Sequence, residues 1–390
     1  MGIWCTISPV PLAWRQLTQH HVRFAAAVMG VTFAVVLVLM QLGFRGALYA
    51  SAVRLHEHLK ADLVLINPQY AYLGMSKPFS QRRLYQARAH PAVASATPLS
   101  FDLAPWKNPK TGLTRAILVI GVDPAAPALE LPGVTEQLYR TRLTDTLLFD
   151  ADSRPEFGVR PALLQGGERF VAELAQRRVF ISGAFHLGTG FAVDGNTIAS
   201  RSTFQRLFPN RREGLIDVGL LRLRPGVDVD AVRAQLAAQL PKDVEVLTTA
   251  GFIAREQKYW ADATPIGYVF AVGVIIGLAV GAVIVYLVLF VNVSERLPEY
   301  ATLKAIGFTD RALFSVVLQQ AIILAALGFT LGTLLSRGLY ALAADATHLP
   351  LNLTPTTGAL VFGLTLLMCG VSGAAALRKV QAADPAEVFA

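Results

Sequence analysis

Four long apolar segments limit what this chain can fold into. Each supplies about 20 residues, enough to cross about 30 Å of hydrocarbon as an α-helix. Only 16% of the residues are charged, against about 25% in an average soluble domain. We therefore predict an α-helical membrane protein with four transmembrane helices, at residues 24–42, 268–291, 312–335 and 359–377.

The first apolar segment has two readings, a cleaved signal peptide or a permanent anchor. Residues 1–23 precede it, and the residues that follow, QLGFRGALYA, continue in helical period without a small-residue cleavage site. We expect an uncleaved anchor.

The distribution of lysine and arginine predicts the orientation. Basic residues concentrate before the first segment, between the second and third, and after the fourth, whereas the loop between the third and fourth offers only Arg337. Short cytoplasmic loops carry an excess of lysine and arginine. We therefore expect an inner-membrane protein with both termini and residues 294–308 in the cytoplasm. The flanking residues are Arg15, Arg23, Arg296, Lys304, Arg311, Arg378 and Lys379.

Residues 61–248 have the pattern of a folded domain. Short β-rich runs at residues 61–66, 115–122, 178–182 and 216–223 alternate with Asn-Pro, Asp-Pro, Asp-Gly and Pro-Gly turn signals. Residues 229–240 have apolar side chains every four positions, as in an amphipathic helix. We predict a periplasmic α+β domain inserted between helices 1 and 2, with a subdomain inserted around residues 150–210.

The apolar spacing of the first segment extends past the membrane. A helix over residues 24–60 is about 55 Å long, and residues 252–260 carry a similar pattern toward a break expected at Pro265. The two extensions either pair as a stalk or remain separate linkers. The expected domains are residues 1–60 (cytoplasmic amino terminus, helix 1 and stalk), 61–248 (periplasmic domain) and 249–390 (stalk, helices 2–4, coupling helix and tail).

A doubled GxxxG motif lies in the second apolar segment, at Gly273, Gly277 and Gly281. Glycines four residues apart share one helix face and let another helix approach closely. The motif indicates packing against another span or a second copy of the chain. The ordinary enrichment of glycine in membrane helices is the alternative.

The polar stretch SERLPEYATLKAIGF, residues 294–308, separates the second and third apolar segments. Pro298 suits the first position of a helix, and Gly307 suits its left-handed end. We expect a short helix at residues 298–306 that either lies on the lipid surface or fits a groove in a cytoplasmic partner.

Other candidate chemistry is weak. His56-Glu57-His58 lacks the spacing of HExxH and is expected on the stalk surface. A hydrolase triad of Ser182, His186 and Asp194 has no support from spacing. The carboxylates of Asp150 and Asp152 either bind a cation or, as we expect, face solvent in a turn. Cys5 and Cys369 belong to no metal motif, and we expect both to be buried or membrane-side thiols.

A P-loop of the form GxxxxGK[ST] does not occur in the sequence. The chain therefore cannot hydrolyse ATP through such a loop of its own. We expect no enzyme activity and no bound cofactor, and any energy must come from another protein.

The stretch ERLPEYATLKAIG, residues 295–307, resembles the segment after the second span in permeases of the MacB and FtsX type, also called type VII ABC transporter permeases. The order of the four spans and the tail ADPAE, residues 383–387, is similar as well. Further stretches resemble the cyanobacterial DevC permeases: PLAWRQLT, MQLGFRGALYASAVRLH, ADLVLINP, SRPEFG and FPNRREGLIDVGL.

The resemblance implies the homodimeric permease of a tripartite exporter that works by mechanotransmission. Its partners would be a separate DevA-like ATPase that binds ATP and Mg, a DevB-like periplasmic adaptor, a TolC-like outer-membrane channel and membrane lipid, but no nucleic acid. The cargo class of DevC is envelope glycolipid. Carried onto this sequence, ATPase coupling falls on Glu295, Arg296, Pro298, Glu299, Tyr300, Lys304 and Gly307.

One departure from the family pattern lies early in the third span. Many members have a glutamate there, where this chain has Gln319-Gln320-Ala321. We expect these amides to find partners within the helix bundle. An FtsX-like regulator of a cell-wall hydrolase and a lipoprotein-releasing permease remain alternative functions.

Overall fold

The computed structural model describes residues 10–126, 128–160, 170–295 and 310–381. They divide into two compact units. The membrane unit comprises the described residues within Met1–Gly46, Ile266–Ala346 and Leu351–Ala390, and the sheet unit comprises those within Ala47–Pro265 and Thr347–Pro350.

Helices and strands alternate in the sheet unit, and long helices form the membrane unit. In chain order, the helices are α1 (Val10–Thr18), α2 (His21–Glu57), α3 (Arg82–Arg88), α4 (Val134–Gln137), α5 (Arg201–Leu207), α6 (Val229–Gln239), α7 (Thr249–Lys258), α8 (Pro265–Glu295), α9 (Asp310–Thr347) and α10 (Pro355–Gln381). The strands are β1 (Leu63–Ile66), β2 (Phe79–Ser80), β3 (Val93–Lys107), β4 (Thr114–Val122), β5 (Thr146–Asp150), β6 (Phe170–Leu174), β7 (Arg177–Phe185), β8 (Asn196–Ser200), β9 (Leu215–Ile216), β10 (Val218–Leu223) and β11 (Glu245–Thr248).

Four helices within the described ranges are long and apolar enough to cross a membrane. They coincide with the four predicted spans. α2 has 37 residues, and it contributes residues to both units. The candidate spans are His21–Glu57, Pro265–Glu295, Phe314–Thr347 and Pro355–Arg378.

The sheet unit is built on a nine-stranded mixed sheet in the order β11-β1-β10-β3-β4-β8-β5-β7-β6. β4 and β8 are parallel, as are β5 and β7, while the other neighbours are antiparallel. β6 also pairs with β3 through Trp106↔Leu174 and Lys107↔Glu173, so six of the strands close into a ring. The four β-rich runs predicted from the sequence lie in this mixed α/β domain, at β1, β4, β7 and β9–β10.

The described part of residues 150–210, where the sequence predicts an inserted subdomain, contributes β6, β7 and β8 to this same sheet. One apolar cluster beneath these strands surrounds Trp106, whose indole N–H donates to the Phe157 carbonyl at 3.0 Å.

The predicted amphipathic helix is α6. Its amino terminus is capped by Asp228, whose carboxylate accepts the backbone N–H groups of Asp230 and Ala231. Val232 and Leu236 are buried against the sheet. The helix therefore begins and packs where its sequence pattern indicates.

The predicted break at Pro265 is confirmed. α7 ends at Lys258, a π-helical turn covers Tyr259–Ala263, and Thr264 is extended before α8 begins. The residue before a proline avoids the helical region because the proline ring contacts its backbone. The local sequence alone therefore accounts for the interruption.

Candidate functional site

Among the residues predicted to couple to the ATPase, Glu295 lies within the described ranges. Arg296, Pro298, Glu299, Tyr300, Lys304 and Gly307 lie outside the described residues. Glu295 ends α8, and its carboxylate accepts a hydrogen bond from the Arg23 guanidinium near the start of α2 at 2.5 Å. His20 lies 4.0 Å from the same oxygen. Because these side chains are about half exposed, water screens the pair.

The glycine face of α8 packs against α2 within the membrane unit. A Cβ built on Gly281 would lie 2.6 Å from the Ala34 Cβ and 2.6 Å from the Met368 Sδ of α10. A Cβ on Gly277 would lie 2.9 Å from Leu37, and one on Gly273 would overlap Gln41. A side chain at any of these positions would displace its neighbours, so the three predicted packing glycines lie at an interface between membrane helices.

A second glycine face, on α9, did not enter the sequence prediction. Gly328 faces Val31 and Gly332 faces Val35, where a Cβ would lie 2.6 Å from the Val35 Cγ1. The stretch GFTLG, residues 328–332, carries the same GxxxG spacing. The signal was therefore present in the sequence. α2 receives close contacts from glycines of both α8 and α9.

Polar side chains also make contacts between helices of the membrane unit. The Gln320 amide donates to the Gln16 Oε1 at 2.8 Å, so one of the two predicted amides does find a partner. The Tyr340 hydroxyl donates to the Leu39 carbonyl of α2. Cys369 is buried among the helices, as predicted for a membrane-side thiol; Cys5 lies outside the described residues.

His56, expected on a stalk surface, is 1% exposed, so that prediction is wrong. The side chain lies in the domain core because α2 packs its last turn against the sheet. The hypothetical triad does not form: His186 contacts Asp152 at 3.1 Å, whereas Asp194 accepts a hydrogen bond from Arg115 and forms an ion pair with Arg154.

Asp150 was expected in a solvated turn, and this is also wrong, because the residue is fully buried. Its carboxylate accepts the N–H groups of Leu187 at 3.0 Å and Gly188 at 2.9 Å and the Asn196 amide at 2.7 Å. Burial raises the pKa of Asp150, although the hydrogen bonds oppose that shift. Asp150 thus anchors the loop that follows β7. Among the described residues, no group of three His, Cys, Asp or Glu could hold a metal ion.

The chain resembles known permeases in sequence. Residues 271–385 match the model of the FtsX-like permease C-terminal family. The chain is 26% identical over 383 residues to an uncharacterized ABC transporter permease of Mycobacterium bovis, covering 96% of each chain. A second such permease, of Mycobacterium tuberculosis, is 24% identical over 369 residues and covers 92% of this chain and 93% of its own.

Two solved structures also match at low scores. The periplasmic region of MacB from Actinobacillus actinomycetemcomitans has a TM-score of 0.35 at 10% identity, covering 50% of this chain and 92% of its own. The extracellular domain of the transporter YknZ from Gram-positive bacteria has a TM-score of 0.34 at 8% identity, covering 48% and 99%. By sequence, residues 271–385 are thus similar to the FtsX-like permease C-terminal family, and the chain is similar along nearly its whole length to ABC transporter permeases.

Proposed function

We propose that this chain is the membrane subunit of an ABC exporter that works by mechanotransmission. The observation that carries the proposal is the FtsX-like match over residues 271–385. That range takes in most of α8, all of α9 and α10, and the polar segment that joins α8 to α9. A permease subunit binds no nucleotide itself, so ATP and Mg belong to a separate ATPase.

The coupling step is assigned to the polar segment between α8 and α9. ATP-driven closure of the partner moves residues 295–307, and α8 and α2 pass this movement to the periplasmic domain. A ligand changes a conformational equilibrium only if it binds the two states with different affinity. The close glycine contacts of α2 with α8 and α9 support the proposal, because tightly packed helices transmit displacement.

The remaining partners follow from the resemblance. We propose a homodimer in the inner membrane, with cytoplasmic termini, a periplasmic sheet unit, a DevB-like adaptor and a TolC-like channel. A periplasmic or outer-leaflet amphiphile, such as a glycolipid, is the proposed cargo class.

The first experiment measures ATPase stimulation. The chain is reconstituted in proteoliposomes with an ABC ATPase subunit of the same organism, and ATP hydrolysis is compared with and without the chain. Glu299→Lys should abolish stimulation while membrane insertion stays normal. Glu213→Lys, an equal charge change at an exposed position of the sheet unit, is the matched control. Unchanged stimulation in Glu299→Lys contradicts the coupling role.

The orientation has its own test. In a chain with Cys5→Ala and Cys369→Ala, a Thr302→Cys residue should react with a thiol reagent only when the cytoplasmic side is accessible. Labelling of intact cells by an impermeant reagent from the periplasmic side would overturn the proposed topology.

An FtsX-like regulator is the second candidate function, because the matching model is that of FtsX-like permeases. Such a regulator would transmit the same movement to a cell-wall hydrolase. Purified complexes separate the two functions: adaptor-dependent cargo release supports export, whereas hydrolase activation without release supports regulation. A lipoprotein-releasing permease would instead release acylated protein.

A further inference from the structure

A buried polar cluster lies in the core of the sheet unit, at the end of the helix that leads into it. The cluster consists of His56, Tyr70, Glu256 and Trp260. His56 belongs to the last turn of α2, and Glu256 belongs to α7, which leads out of the sheet. Both side chains are 1% exposed. Two ionisable groups are therefore enclosed where the chain enters and leaves the domain.

The Glu256 carboxylate is the centre of the cluster. One oxygen accepts the Tyr70 hydroxyl at 2.9 Å and lies 3.5 Å from the His56 Nε2. The other oxygen accepts the Trp260 indole N–H at 3.2 Å and the Leu73 backbone N–H at 3.3 Å. One carboxylate thus joins the last turn of α2, the segment after β1, and the π-helical turn after α7.

The hydrogen-bond directions follow from chemistry. Burial, and next the negative charge of Glu256, raise the pKa of Tyr70 well above its usual 10.0. Tyr70 therefore stays protonated and donates to Glu256. The Tyr70 oxygen, 3.3 Å from the His56 Nε2, can in turn accept an N–H from the imidazole. The chain of donors runs from His56 through Tyr70 to Glu256.

Aromatic packing closes the cluster. The Phe252 ring of α7 lies 4.5 Å from the His56 ring and 5.1 Å from the Tyr70 ring. Phe252, Tyr70 and Leu55 belong to the same apolar core. Apolar contacts alone can be kept when a helix shifts along its axis. A buried carboxylate keeps its three hydrogen-bond donors only in one arrangement of the helices.

The π-helical turn contributes to this arrangement. Trp260 lies in this turn, four residues after Glu256, and its indole N–H donates to the Glu256 carboxylate. Such turns are rare and cost regular hydrogen bonding. Here the turn lies between the cluster and the helix break before Pro265.

We propose that Glu256 and His56 are positioning residues that lock the ends of α2 and α7 onto the sheet core, so that the sheet domain follows these helices as one body. The lock itself is a property of the chain alone. Its use in transmitting ATP-driven movement rests on the proposed function.

The first test measures the lock in the full-length chain in detergent. Spin labels at Glu57→Cys and Ala234→Cys, both exposed positions of the sheet unit, report the distance between the end of α2 and α6 by double electron–electron resonance. The background carries Cys5→Ala and Cys369→Ala. Glu256→Ala should broaden the distance distribution about twofold, because buried donors that lose their acceptor rearrange.

Matched variants separate the lock from general damage. Glu256→Gln keeps an acceptor oxygen and should restore most of the narrow distribution. Glu245→Ala removes the partly exposed partner of Arg255 in the same region and should change nothing. If Glu256→Ala does not accumulate, Tyr70→Phe should broaden the distribution in the same direction but less. A distribution unchanged in every cluster variant that folds would overturn the proposal.

A second measurement adds the ATPase. In the proposed dimer, single labels at residue 57 or at residue 234 report distances between the two copies, with and without ADP–vanadate. Wild type should show a nucleotide-dependent shift at both positions, and Glu256→Ala should keep the shift at residue 57 and lose it at residue 234. If wild type shows no shift at either position, the proposed function fails while the first test still decides the lock. A shift at residue 234 that survives in Glu256→Ala overturns the transmitting role.

Discussion

The two ends of α2 are held by opposite means. In the membrane unit, α2 is approached closely by Gly277, Gly281 and Gly332. In the sheet unit, its last turn is held by His56 in a network of hydrogen bonds. One continuous helix is thus packed against glycines in the membrane unit and against buried polar side chains in the sheet unit.

The difference follows from the surroundings. Lipid offers no hydrophobic gain when two apolar helices pair, so close packing of small residues supplies the attraction. In a domain with its own apolar core, burial already supplies the attraction, and a polar network adds specificity of arrangement. Substitutions at the two ends of α2 should therefore destabilise the protein through different contacts and by different amounts.

Glu256→Ala should have the largest effect. Breaking a buried charged network leaves partners without an acceptor, and the free energy of unfolding should fall by about 3–5 kcal/mol. Denaturant unfolding of the full chain in detergent, followed by near-ultraviolet circular dichroism, measures this loss. Glu245→Ala is the control; an equal loss in both variants would mean that the cluster is no different from a surface pair.

Gly281→Leu should have the next largest effect. The added side chain meets Ala34 and Met368, and overpacking should cost about 1–3 kcal/mol. Gly363→Leu is the matched control, because a Cβ on Gly363 of α10 meets nothing within 4 Å. Unfolding in mixed micelles with increasing SDS compares the two. Equal stability of the two variants would contradict a tight glycine interface.

Asp150→Asn should change the pH dependence of stability. Because burial raises the pKa of Asp150 above its ordinary 3.8, the folded state binds its proton more tightly than the unfolded state. The wild type should therefore gain stability relative to Asp150→Asn as the pH falls through the raised pKa toward the ordinary one, and lose that gain as the pH rises. Thermal unfolding at a series of pH values measures the difference. Asp230→Asn, at an exposed position, controls for the lost charge. Parallel stability profiles for wild type and Asp150→Asn would contradict a raised pKa of Asp150.

Arg23→Ala should have the smallest effect. Arg23 and Glu295 join α2 to α8, but both are about half exposed and water screens their attraction. The thermal unfolding temperature should stay unchanged, in contrast to Gly281→Leu at the same pair of helices. A marked drop would show that polar contacts also hold α2 in the membrane unit.

Local patterns predicted the regular elements well. The four spans follow from apolar length, the break before α8 follows from Pro265, and α6 begins at its Asp228 cap. The second glycine face was missed although GFTLG shows the same spacing as the first. Spacing marks a face that can pack closely, whereas the partner helix is decided by the bundle.

Predictions about individual polar residues failed at His56 and Asp150. Both lie in ordinary polar sequence contexts, HEH and DAD, which are typical of exposed turns and helix surfaces. Each is buried because distant segments supply its partners, such as Asn196 for Asp150. No local pattern reports those partners.

The sequence by itself predicted four apolar spans and a domain that contains both strands and helices, because apolar length, turn residues and helix caps act over a few neighbouring positions. Only the tertiary structure decided which polar groups are enclosed. Tyr70 and Glu256 are 186 positions apart and meet only when α2, β1 and α7 share one core. Burial is a property of such assembled contacts, and it turns an unremarkable glutamate into the centre of a network.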